Sequence, residues 1–258
     1  MSCRLKALCL TFIVAALSCL TTSCGTRNQS QIRLIDAIPD SPQVDIYADG
    51  IKIVRSMQFG DVYPPAATPA SYTTVASGST TIKGYLPGDT VNPIPPIGTV
   101  FLNGTMQYTL VAVGFELNDS PPLFLTDDNT APSSNKVEIR IVNVSIGTAS
   151  LSPPTGVDVY FLPPTITDLT NYTPQISNLG YGQASIYQLL DHLSSGYQVT
   201  VTTNGGKTAI LTYPSNVIAA DPADLWPTAG SITTLVLLDN AGGNNGMSTT
   251  PLVLNDVN

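Results

Sequence analysis

The single histidine, His192, stands in LLDHLSS with Asp191 before it and Ser194 and Ser195 after it, the residue types of a hydrolytic triad. Their spacing argues against that chemistry. A triad brings its members from different elements to hydrogen-bond distance, whereas chain neighbours usually point apart. One histidine and few cysteines also supply too few nitrogen and sulfur ligands for a zinc site. The sequence has no G-x-S-x-G elbow, no glycine-rich phosphate loop and no H-E-x-x-H. Carboxylates are the remaining reactive groups. Asp45 and Asp158 occur in matching VDIY and VDVY segments, Asp127 and Asp128 recur only as Asp256, and Asp224 lies in a late loop. Two acids about 5 to 10 Å apart in a cleft could hydrolyse a glycan. However, Asp45 alternates with apolar residues and should face solvent, Asp49 is turn chemistry, and no D-x-D-x-D-G calcium spacing occurs. The expectation is a protein without catalytic residues, metal or cofactor.

Aromatic side chains are better candidates for binding. Tyr47 and Tyr160 share the outward face of their segments with the matching acids, and Trp226, the one tryptophan, lies in ADLWPTAG. An exposed tryptophan offers large contact area at low entropy cost, which suits a sugar or a protein. Alternatively Trp226 folds back and caps the end of its domain.

The elements that must position these residues are read from composition and repetition. The 258 residues are 43% hydrophobic and 11% charged, with 20 Gly and 21 Pro, a β-rich balance. Residues 1 to 23 differ from the rest: Arg4 and Lys6 precede the apolar run ALCLTFIVAALSCL, which is short for a membrane span and reads as a signal peptide. All four cysteines (Cys3, Cys9, Cys19, Cys24) fall by position 24, so no disulfide framework is expected beyond it. The Ser23-Cys24-Gly25 segment resembles a bacterial lipoprotein cleavage site, with Thr21 where such sites usually carry leucine and with Cys19 as a second candidate. That resemblance implies acyl chains on Cys24, several of which would hold a membrane durably where one would not. Removing Arg4 and Lys6 with the leader leaves 8 basic against 18 acidic residues. This balance repels anionic headgroups and argues against nucleic acid. The expected location is extracytoplasmic and membrane-anchored, at the outer membrane or cell surface if the organism has two membranes.

Past a short tether (24 to 31), the chain repeats. IRLIDA (32 to 37) and VDIY (44 to 47) are answered by IRIVNV (139 to 144) and VDVY (157 to 160). FGDVY answers to YGQAS, ASYTTVA to SGYQVTV, QYTLVAV to SITTLVL, and PPLFLTDDN to TPLVLNDVN. The segments are short, β-branched and aromatic, divided by Gly, Pro, Asn and Asp. In VDIYADGIKIV, Val44 and Ile46 should face a core, and Asp49-Gly50 should form a tight hairpin turn. The predicted fold is all-β: two tandem immunoglobulin-like antiparallel β-sandwiches at 32 to 129 and 137 to 258, joined by the linker TAPSSNK (130 to 136). One helical turn is expected within ISNLGYGQASIYQLLDHLSS.

IRLIDAIPDSPQVDIYADG, FGDV, SYTTV and PPLFLTDDN resemble the domain-of-unknown-function family 4397. The resemblance spans nearly the whole first copy and is looser in the second, which carries insertions at 145 to 156 and 213 to 230. It implies β-sandwich architecture and an exported bacterial protein, with no established activity. The function expected is a non-catalytic structural or binding module of the cell envelope that contacts a polysaccharide or a protein. The alternatives are a carboxylate-dependent glycan-active enzyme and a soluble secreted binding protein without lipid.

Overall fold

The computed structural model describes residues 28–65, 71–94, 98–114, 121–149, 156–214, 226–240, 247–248 and 250–257. The segment read as a signal peptide and Cys24 lie outside them. The first copy contributes β1 (Gln29–Asp36), β2 (Val44–Ala48), β3 (Ile51–Met57), β4 (Val62–Tyr63), β5 (Thr73–Ala76), β6 (Gly78–Tyr85), β7 (Thr99–Leu102), β8 (Gln107–Ala112) and β9 (Leu123–Asp127). The second contributes β10 (Lys136–Asn143), a single helical turn α1 (Ile146–Ala149), β11 (Val157–Leu162), β12 (Ile176–Leu179), β13 (Gln183–Ala184), β14 (Gln188–Asp191), β15 (Gln198–Thr203), β16 (Ala209–Tyr213), β17 (Ile232–Leu237) and β18 (Leu252–Val257). The chain is all-β, built of packed sheets. Among the described residues no helix is long and apolar enough to cross a membrane.

Local sequence explains the first hairpin. Asp49 and Gly50 both adopt positive φ (48° and 82°), and Ala48 pairs with Ile51 across them. That conformation matches the right-handed twist of the flanking strands, and Asp-Gly tolerates it. The Asp49 carboxylate also accepts the Thr81 N–H at 2.8 Å, which ties the turn to β6.

Each copy builds two sheets of the same plan. In the first, β3-β2-β6-β7 faces a sheet ordered β4-β1-β8-β9, with β5 also on β1. In the second, β12-β11-β15-β16 faces β13-β10-β17-β18, with β14 also on β10. Most pairings are antiparallel, but β1 runs parallel to β8 and β10 parallel to β17. The topology revises one repeat assignment. β5 and β14 occupy equivalent places, so SYTTVA (71 to 76) answers IYQLLD (186 to 191), while YQVTVTT, in β15, is the counterpart of β6. Tyr187 is therefore the counterpart of Tyr72. The helical turn expected between 176 and 195 is absent: that stretch forms β12, β13 and β14, and the one described turn is α1.

The two copies are packed back to back. Along β1, Ile32 and Leu34 point into the first sandwich with Tyr108 and Leu110, whereas Ile35 and Ala37 point away with Val111, Val113 and Leu125. The second copy alternates likewise: Ile139, Ile141, Leu235 and Leu237 fill its own core, while Val142, Val144, Val236, Leu238 and Leu254 turn outward. The outward sets of both copies meet in one shared cluster. Four sheets are thus stacked, and the two inner ones are covered on both faces. This is why β17 is buried at every residue and why IRLI and IRIV read as continuous apolar runs interrupted by a charge. Each aliphatic side chain buried here contributes about 1.5–3 kcal/mol relative to exposure.

Candidate functional site

The matching aspartates are not solvent-facing. Asp45 and Asp158 do alternate with core residues, yet both are buried, at 4% and 3% exposure. Their carboxylates accept backbone N–H groups that the sheet leaves free. Asp45 accepts from Ser56 at 2.9 Å, and Asp158 accepts from Asn178 at 2.9 Å and Gly205 at 2.8 Å. Ser56 and Asn178 sit at positive φ (51° and 54°), so in each copy the acid fastens an irregular point of the neighbouring strand. Period-two alternation specifies the face of a strand and not what covers that face. Lys52 closes the first site, and its hydrogen bond, together with the Ser56 N–H, holds the Asp45 carboxyl below its usual value. Replacing Asp158 by Ala strands two backbone donors. The expected loss is about 1–3 kcal/mol, read as a lower urea midpoint, and an unchanged midpoint would contradict the fastening role.

The aromatic candidates separate. Tyr47 is half-buried and stands edge-on to Tyr85, with ring centroids 5.2 Å apart and Lys52 over its ring. Tyr160, expected on an open face, is only 1% exposed and cannot be part of a binding surface. The reason is the longer connection between β11 and β12, whose Ile166, Leu169 and Tyr172 pack over it where the first copy has only the Asp49-Gly50 turn. Trp226 is half-buried against the second core, edge-on to Tyr213 at 5.7 Å, and its carbonyl accepts the Tyr197 N–H at 2.9 Å. It caps the sandwich. Asp224 lies outside the described residues. Asp191 pairs with Lys136 at 2.6 Å, and the neighbouring His192 backbone N–H donates to the Asn135 carbonyl at 2.9 Å, which ties this segment to the start of β10.

The charged residues that the structure does bring together lie between the copies. Arg33 of β1 reaches Asp256 of β18 at 2.7 Å, and Arg140 of β10 reaches Asp127 of β9 at 2.7 Å. Each arginine thus pairs with the closing strand of the other copy. Arg33 donates through Nε and Nη2 to Thr109 Oγ1 (3.1 and 2.9 Å), which donates to Asp127 at 2.5 Å. Symmetrically, Arg140 Nε donates to Thr234 Oγ1 at 3.1 Å, and Thr234 donates to Asp256 at 2.6 Å. Tyr72 donates to Asp127 at 3.0 Å and lies under the Arg33 guanidinium (5.2 Å to the centroid), and Tyr187 lies under Arg140 (4.5 Å). None of the four charged residues is more than 5% exposed.

Burial works against the Arg33 charge, but Asp256, Tyr72 and Asp127 outweigh it and hold the guanidinium above its usual value. Burial also pushes the Tyr72 and Tyr187 phenols well above their usual range, so both stay neutral. The arrangement has its charges balanced, and the Thr109, Thr234 and Tyr72 hydroxyls are turned on its two carboxylates, while the Tyr187 hydroxyl has no hydrogen-bond partner among the described residues. It is a clamp between two sheets rather than a reaction centre. Neither arginine was among the candidates read from sequence. The signal was nevertheless present: an arginine at the same place in two apolar strands needs a buried acid, and LTD and LND each supply one at the matching place near the chain's repeats.

Fold and clamp define an all-β protein of two fused copies sharing one interior. Residues 30–152, the first copy and the opening of the second, match the family model described as Domain of unknown function (DUF4397). The matched stretch continues past β9 and includes β10, the strand that carries Arg140. No curated protein matches the chain.

Proposed function

We propose that this protein is an exported, lipid-anchored component of a bacterial cell envelope, and that its two copies act as one rigid non-catalytic module for structure or for binding a polysaccharide or protein. The observation that carries the reading is where the repeated charges go. Asp127, Asp256, Arg33 and Arg140 are spent on joining the copies, and Asp45 and Asp158 on fastening strands, which leaves no pair of these acids facing a common cleft. The anchor rests on the Ser23-Cys24-Gly25 segment behind its apolar leader. Tyr47, half-exposed beside Tyr85 and Lys52, is the residue we assign to contact with a partner. In the native host, intact-mass spectrometry should find acylated Cys24 in the membrane fraction, and Cys24→Ala should move the protein to the soluble fraction. Unchanged partitioning of that variant would leave the alternative of a secreted protein without lipid.

A further inference from the structure

The first sandwich is not filled at one end. A cavity of about 70 Å³ lies between its sheets, walled by Leu34, Ile46, Met57, Ile82 and Leu110. One acid enters this apolar lining. Asp36 continues the inward-facing series Ile32, Leu34, Asp36 along β1, lines the cavity and is 3% exposed. Its Oδ1 accepts the Ile38 N–H at 3.0 Å, and its Oδ2 has no hydrogen-bond partner among the described residues. The equivalent place in the second copy is handled differently. There Asn143 donates to the Leu179 carbonyl at 3.0 Å and accepts the Ser145 N–H at 3.3 Å, so the amide is used on the fold itself. A buried polar group is expected to be paired, and leaving one unpaired is costly. The second copy thus uses both ends of its side chain on the fold, whereas the first uses one oxygen of Asp36 and leaves the other unpaired beside the cavity.

We infer that the cavity at the end of the first sandwich is a binding site for a small apolar primary amine, whose ammonium group donates to Asp36 Oδ2 while its alkyl body fills the space between Met57, Ile82 and Leu110. The volume sets the size. An apolar cavity of about 150 Å³ accepts benzene, so about half that volume takes a body of three or four carbons. The charge sets the headgroup. Burial raises the Asp36 carboxyl above its usual value, and a cation beside it compensates that cost where a neutral donor would not. The inference goes beyond the envelope role and does not depend on how the protein is anchored.

Isobutylamine titrated into the full chain, followed by calorimetry and by methyl NMR of Ile82, Met57 and Leu110, tests it. Binding should saturate, shift those methyl signals, tighten as pH rises from 4 to 7, and exceed that of isobutanol at least tenfold. Asp36→Asn, which installs the residue type the second copy carries, should keep the fold and weaken isobutylamine at least tenfold. No saturation at the cavity methyls, equal binding of isobutanol, or equal binding by the folded Asp36→Asn variant would each overturn the assignment.

Discussion

Asp127→Ala lowers the stability of the whole chain by about 3–5 kcal/mol, the cost of removing one partner from a buried ion pair. The residue is a hub. Its carboxylate receives Arg140 at 2.7 Å, Thr109 at 2.5 Å and Tyr72 at 3.0 Å, with Arg33 a further 3.6 Å contact. Truncation leaves a guanidinium and two hydroxyls buried without their acceptor, and the shared aliphatic cluster around them prevents water from replacing it at low cost. Asp128 is the internal control. It is exposed and, among the described residues, accepts from the Thr130 backbone and side chain, so Asp128→Ala should cost less than about 1 kcal/mol. Combining Asp127→Ala with Arg140→Ala should be non-additive by about 0.5–3 kcal/mol. Equal urea midpoints for the Asp127 and Asp128 variants would remove the clamp from the account of this fold.

The second large effect concerns the apolar part of the same seam. Val236 is fully buried between the copies, so Val236→Asp adds a carboxylate to a seam whose two arginines are already paired with Asp256 and Asp127. The expected loss is about 3–5 kcal/mol, with several kcal/mol remaining as the penalty for a buried ion even after relaxation. The shape of the transition is the more telling readout. Two sandwiches that share a core should unfold together, in one calorimetric transition whose van't Hoff and calorimetric enthalpies agree. The variant should separate them into two steps. A wild-type protein that already melts in two steps would show the seam to be unimportant to cooperativity.

What could be seen in the sequence and what could not divides by the range of the interactions concerned. The Asp49-Gly50 turn and the alternation of Val44, Asp45, Ile46 and Tyr47 depend on backbone sterics and on the nearest strand, so they are written in adjacent residues. The burial of Asp45 depends on Ser56 and Lys52, and that of Tyr160 on a connection peculiar to the second copy, so neither follows from strand period. The correspondence of SYTTVA with IYQLLD was hidden because the two share little beyond one tyrosine; the pairing of β5 on β1 and of β14 on β10 identifies them, and Tyr72 and Tyr187 then stack on equivalent arginines. The clamp was the hardest to read. Its partners come from opposite ends of the chain, Arg33 and Asp256, so a linear reading shows that each arginine needs an acid without showing which copy supplies it.

The reciprocity of that clamp has a consequence for how the molecule responds to dilution. Arg33 of one copy meets the closing acid of the other, and Arg140 returns the contact, which is the pattern of an isologous two-fold interface between separate subunits. Here the subunits are consecutive parts of one chain, with β9 ending at Asp127 and β10 beginning at Lys136. So short a tether holds the copies at an effective concentration of order millimolar or higher. A contact that would come apart on dilution in an ordinary dimer is therefore fixed, and the protein keeps its paired form at a single molecule per cell.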